Sequence, residues 1–96
     1  MLLNELLSKK NEILKIIKRN KGSNVMVFGS TAEGTSNKSS DVDFLVELND
    51  DASLFDLIEI KLELEELLNV KVDVVSENGL KDNEIGKNIR RSAIAI

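Results

Sequence analysis

Three observations predict an α/β (α+β) domain. Residues 2–18 and 54–68 carry apolar side chains at helical spacing, three short runs are rich in Val and Phe, and the elements between Asp41 and Val75 follow the order strand, helix, strand. The chain has 96 residues, enough for one compact unit with a modest core, so 1–96 reads as a single domain. Hydrophobic residues make up 42% and charged residues 31%, which separates the chain from disordered sequences.

In the first element Leu3, Leu6, Leu7, Ile13, Leu14 and Ile17 recur on one side, with Lys and Glu between them, predicting one amphipathic helix over 2–18. Leu2, Leu3, Leu6 and Leu7 exceed one narrow stripe, so this end reads either as core or as a patch facing a partner. Lys21-Gly22-Ser23-Asn24 is a turn cluster, and Val25-Met26-Val27-Phe28 is a buried strand. Gly29 through Ser40 is small and polar and reads as a loop with room for one helical turn.

The next strand, Asp41 to Leu48, alternates: Val42, Phe44, Val46 and Leu48 take one face, and Asp41, Asp43, Leu45 and Glu47 the other. Asn49-Asp50-Asp51 turns the chain and Ser53 caps a second amphipathic helix that ends near Asn69. Val70, Val72 and Val74 then alternate with Lys71, Asp73 and Val75 as a third strand. A right-handed strand–helix–strand crossover places the second and third strands side by side and parallel, so their acidic faces coincide. A last helix is predicted from Asn83 to Ala95, with Ala93-Ile94-Ala95-Ile96 open to an extended alternative. On that helix Lys87, Arg90 and Arg91 form either a solvated face or a contact to a nucleotide or an acidic partner.

Composition narrows the chemistry. There is no Cys and no His, which excludes disulfides, thiolate or imidazole metal sites and histidine acid/base catalysis. Seventeen Asp and Glu against thirteen Lys and Arg leave a formal charge of −4, which disfavours bulk nucleic-acid binding. No stretch approaches the roughly 20 apolar residues of a membrane span, and the expected location is the cytoplasm.

Gly29-Ser30, ten residues, then Asp41-Val42-Asp43, with Asp73 on the neighbouring strand, is the constellation that carries chemistry. Glycine after a strand lets backbone approach a phosphate, and Ser30 adds a hydroxyl and an N–H. Asp41 and Asp43, two apart on a strand, share a face from which carboxylate oxygens can bridge hard divalent cations, and Asp73 completes the set. Crowded carboxylates repel unless a cation offsets them, and two magnesium ions about 4 Å apart suit an in-line displacement at phosphorus. A P-loop is rejected because Thr35 stands where its lysine must be, and an EF-hand because Phe44-Leu45-Val46 follows the acidic pair.

GSTAEGTSNKSSDVD resembles the signature of the minimal branch of the DNA polymerase beta type nucleotidyltransferases: Gly-Ser, ten residues, Asp-x-Asp. The resemblance runs from Val25 to about Val75 and implies the nucleotidyltransferase fold, a small mixed β-sheet with helices packed on one face. It implies an enzyme that uses magnesium and a nucleoside triphosphate, with ATP expected, and moves the nucleoside monophosphate to an acceptor hydroxyl. By the same resemblance Gly29, Ser30 and Ser40 contact the triphosphate, and Asp41, Asp43 and Asp73 are catalytic and metal-binding. It further implies a helical partner of the HEPN class, a tyrosine of which would receive the AMP, and an antitoxin role. The chain departs from the family pattern at Thr31 and Glu33, where aromatic or basic residues are common. The alternative expectation is therefore a catalytically weak or inactive binding module that neutralises or assembles with a partner protein.

Overall fold

The computed structural model describes residues 3–33, 41–79 and 84–96, with backbone alone at Ser30, Glu33, Asn78 and Ile85. In chain order the elements are α1 (Leu3–Leu7), α2 (Lys10–Arg19), β1 (Gly22–Phe28), α3 (Ser30–Glu33), β2 (Val42–Leu48), α4 (Leu54–Leu68), β3 (Val72–Ser76), a 3-10 turn (Glu77–Gly79), α5 (Glu84–Ser92) and β4 (Ile94–Ala95). The four strands form one mixed sheet in the order β3-β2-β1-β4. β2 runs parallel to β3 and antiparallel to β1, and β4 pairs antiparallel with β1. Among the described residues no helix is long and apolar enough to cross a membrane.

The expected first helix is two helices. The Ser8 hydroxyl donates to the Glu5 carbonyl at 2.6 Å, and Lys9 N–H bonds Leu6 O at 3.0 Å, three residues back. A side chain that competes for a helical carbonyl, followed by a tightened turn, ends α1 and lets α2 begin in a new direction. Leu6 is buried, Leu3 packs against the core and Leu7 is 40% exposed, so this end serves mainly as core.

β1 also starts earlier than the apolar run suggests. The turn is made by Asn20 and Lys21, the latter at φ 65°, and Gly22, Ser23 and Asn24 are already strand. Asn20 is buried with its amide satisfied, since Nδ2 donates to Ile16 O at 2.9 Å and to Glu63 Oε2 at 2.5 Å. Arg19 pairs with the same Glu63, joining α2 to α4.

α4 begins with the Ser53 N–H donating to Asp56 Oδ2 at 2.9 Å and ends at Asn69, left-handed at φ 56°, whose N–H returns to Glu65 O at 2.8 Å. Its inner stripe, Ile60, Leu64 and Leu68, meets Ile13, Ile16 and Ile17 of α2 and Val25, Val27, Val42, Phe44, Val46 and Val72 of the sheet in one core. The alternation read in β2 holds for Val42, Phe44 and Val46, all fully buried on this face. Leu45 faces the other way and is nevertheless fully buried, in a rung with Met26 and Val75, and the Glu77–Gly79 turn packs on β2.

The chain end settles as sheet. Met26 pairs with Ala95 and Val27 with Ile94, so the last residues form β4 instead of prolonging α5.

Candidate functional site

β1 delivers the chain to Gly29, whose φ of +74° is open to glycine at little cost and lets the backbone turn directly into α3. A side chain at this position would collide with Asp43 Oδ2, so the bare backbone is what admits the carboxylate. The single helical turn anticipated after Gly29 is α3. Ser30 opens it, although the orientation of its side chain lies outside the described residues; so does Ser40 altogether.

The register places Phe28, Asp43 and Asp73 in one rung across β1, β2 and β3. Partners in a rung project from the same face, here the one opposite the aliphatic core, and adjacent strands lie about 4.8 Å apart. Asp43 is half-buried, Asp73 exposed, and Asp41 exposed just before β2, where Val42 N–H bonds Lys71 O at 3.1 Å. Burial pushes the Asp43 carboxyl above its ordinary range, and the charges of Asp73 and Asp41 and a hydrogen bond to Asp73 push it further the same way. Three of the six residues singled out in the sequence, Gly29, Asp43 and Asp73, are thus in one place, and Asp41 is close enough to be felt by Asp43.

This donor set suits a hard divalent cation. It is made of oxygens, its members repel one another, and the backbone of Gly29 is cut back to make room for one of them. Among the described residues no group of three acidic side chains is disposed to hold a metal ion, and Asp41 stays outside the Asp43–Asp73 rung.

Beside Gly29 opens a cleft of about 610 Å³, lined by Phe28 and Gly29 on one side and Asn88, Ile89, Arg91 and Ser92 of α5 on the other. Ligand sites commonly fall in the range of roughly 300–1,000 Å³. Of the three basic residues noted on the last helix, only Arg91 lines this cleft. Asn88 and Ser92 were not singled out, although residues 88, 91 and 92 stand at i, i+3 and i+4, the spacing of one helix face. The Ser92 hydroxyl folds back onto Asn88 O at 3.0 Å and Ile89 O at 3.3 Å, which fixes the wall of the cleft at its C-terminal end. Thr31, one of the two departures from the family pattern, is 1% exposed, so that position belongs to the packing of α3.

Known proteins share this architecture. The family described as "Nucleotidyltransferase domain" matches residues 10–96. A protein of Thermococcus cleftensis named protein adenylyltransferase MntA is 39% identical over 70 residues, which are 73% of this chain and 70% of that protein. A solved structure described as a candidate minimal nucleotidyltransferase superposes with a TM-score of 0.86 at 38% identity, covering 100% of this chain and 97% of its own. A Shewanella oneidensis complex of a tri-AMPylated HEPN toxin with an MNT antitoxin gives a TM-score of 0.69 at 20% identity, covering 93% of this chain and 69% of that one; at this identity the likeness concerns the fold alone. The match over 10–96, together with Gly29, Asp43 and Asp73 gathered on the open face of the sheet, makes the chain a member of the nucleotidyltransferase family, in its minimal branch.

Proposed function

We propose that the chain is a magnesium-dependent protein adenylyltransferase that moves AMP from ATP to a tyrosine hydroxyl of a HEPN-type helical partner and acts as that partner's antitoxin. The single observation that carries this reading is the Asp43–Asp73 rung with Gly29 backbone pressed against Asp43, since it puts carboxylate oxygens and a phosphate-accessible backbone at one point. Magnesium held there by Asp41, Asp43 and Asp73 would supply positive charge to the triphosphate and lower the pKa of the acceptor hydroxyl. Gly29 and Ser30 would orient the triphosphate through backbone N–H groups, with Ser40 adding a hydroxyl. The nucleoside would lie in the α5 cleft, with Arg91 supplying positive charge that Thr31 and Glu33 do not. The acceptor oxygen then bonds to the α-phosphorus as the bond to the pyrophosphate oxygen breaks, and the hydroxyl proton passes to the Asp73 carboxylate. The adenylyltransferase relative and the toxin–antitoxin neighbour motivate the choice of acceptor.

The test is incubation of the chain, magnesium and ATP labelled at the α-phosphate with a HEPN-type helical protein. Transfer of label that falls by about 10³-fold in Asp43→Ala supports the reaction. Tight binding to that protein without transfer, unchanged by Asp43→Ala, would overturn it and leave a binding module.

A further inference from the structure

α4 has two apolar faces, and the sheet uses only one. Its outer residues Phe55 (81% exposed), Leu62 (53%) and Ile58 (45%), with Leu54 (69%) beside them, remain in solvent. At 100° per residue, positions 55, 58 and 62 fall on one line, opposite the buried Ile60, Leu64 and Leu68. One exposed apolar side chain is ordinary, whereas a contiguous stripe marks an interaction surface.

The rim of the stripe says what fits it. Exposed Glu59 and Glu66 flank one side and Glu65 the other, and the last turn of the helix has no basic residue. Glu66 stands in the last turn, where negative charge opposes the helix dipole, so its carboxylate does not serve the helix itself. Glu63 is occupied by Arg19 and Asn20, and Glu65 by Lys61 and the Val72 N–H, but Glu59 and Glu66 make no ion pair among the described residues.

We infer that the outer face of α4 is a docking surface for an amphipathic helix of a different protein, one whose apolar stripe is flanked by Lys and Arg. A second copy of this chain fits less well, because two such stripes packed together bring like carboxylates into contact. The surface lies behind the sheet, since α4 packs on the Val42, Phe44 and Val72 face while Asp43 and Asp73 project from the other. A partner seated there leaves the cleft at Gly29 open. The inference rests on the proposed function only for the identity of the partner.

The experiment titrates a HEPN-type helical protein into the wild type and two double variants by calorimetry. Phe55→Glu with Leu62→Glu, at positions already in solvent, should keep the circular dichroism of the wild type and bind at least about tenfold more weakly. Glu59→Lys with Glu66→Lys should weaken binding comparably without touching the stripe, and wild-type binding should weaken as salt is raised. Magnesium–ATP affinity should stay within about twofold in all three, with and without the partner. Unchanged partner affinity in the Phe55→Glu/Leu62→Glu variant would overturn the inference, and so would a wild-type dimer that this variant converts to monomer. Absence of AMP transfer inside an intact, stripe-dependent complex would sink the proposed reaction while the docking surface stands.

Discussion

The two faces of one sheet are built to opposite rules. On the core face the side chains of Val27, Phe44 and Val72 are sealed under α2 and α4. On the other face the next rung along holds Asp43 and Asp73 against bare glycine backbone. Two carboxylates make the contrast concrete. Glu65 binds the Val72 N–H and Lys61 and is held below its ordinary range by those partners, the backbone hydrogen bond first. Asp43 is pushed above its range by burial and by two like charges. The first stabilises the fold in its charged form; the second is destabilising in its charged form, as expected of a site that trades stability for chemistry.

Substitutions should break this comparison in a definite order. Phe44→Ala, in the middle of the sealed face, should cost about 3–5 kcal/mol in denaturant unfolding and leave little folded protein in a chain this small. Gly29→Ala should cost about 1–2 kcal/mol from its positive φ and also displace the Asp43 carboxylate, so magnesium–ATP binding should fall more than stability does.

Asp43→Asn should act the other way and raise the melting temperature at neutral pH. Because the folded-state pKa is raised, the cost of the charged form is fully present above that value and disappears as pH falls through it toward and below the ordinary 3.8. Melting curves of wild type and Asp43→Asn should therefore converge in acid, and a gain that persisted there would refute the electrostatic origin. Glu65→Gln should give the smallest effect and the opposite sign. Its folded-state pKa is lowered, so its contribution is present above the ordinary 4.5 and lost as pH falls through the depressed value; the variant should be less stable than wild type at neutral pH and equal to it in strong acid.

Much of the site was legible because it depends on short-range rules. The strand–helix–strand order made β2 and β3 parallel neighbours, and period-two alternation then put Asp43 and Asp73 on one face, as their shared rung shows. The break at Ser8–Lys9 was not legible, because apolar spacing is the same on both sides of it and the two helices are separated by the Ser8 hydroxyl bond to Glu5 and the tight turn from Lys9 N–H to Leu6 O, which leave no hydrophobic signature. Leu45 was read on the acidic face without any sign that this face also buries a side chain, since its cover comes from residues remote in sequence. The cleft was missed for a related reason: Asn88 and Ser92 are ordinary polar residues until α5 is set beside Gly29.

By itself the sequence determined the alternation of β2, the caps of α4 and the glycine that turns the chain after β1, because backbone geometry and side-chain period act over a few residues. Tertiary structure alone decided which helix walls the cleft. That outcome depends on β4 pairing with β1, Ala95 opposite Met26, and such a contact between distant segments has no local signature.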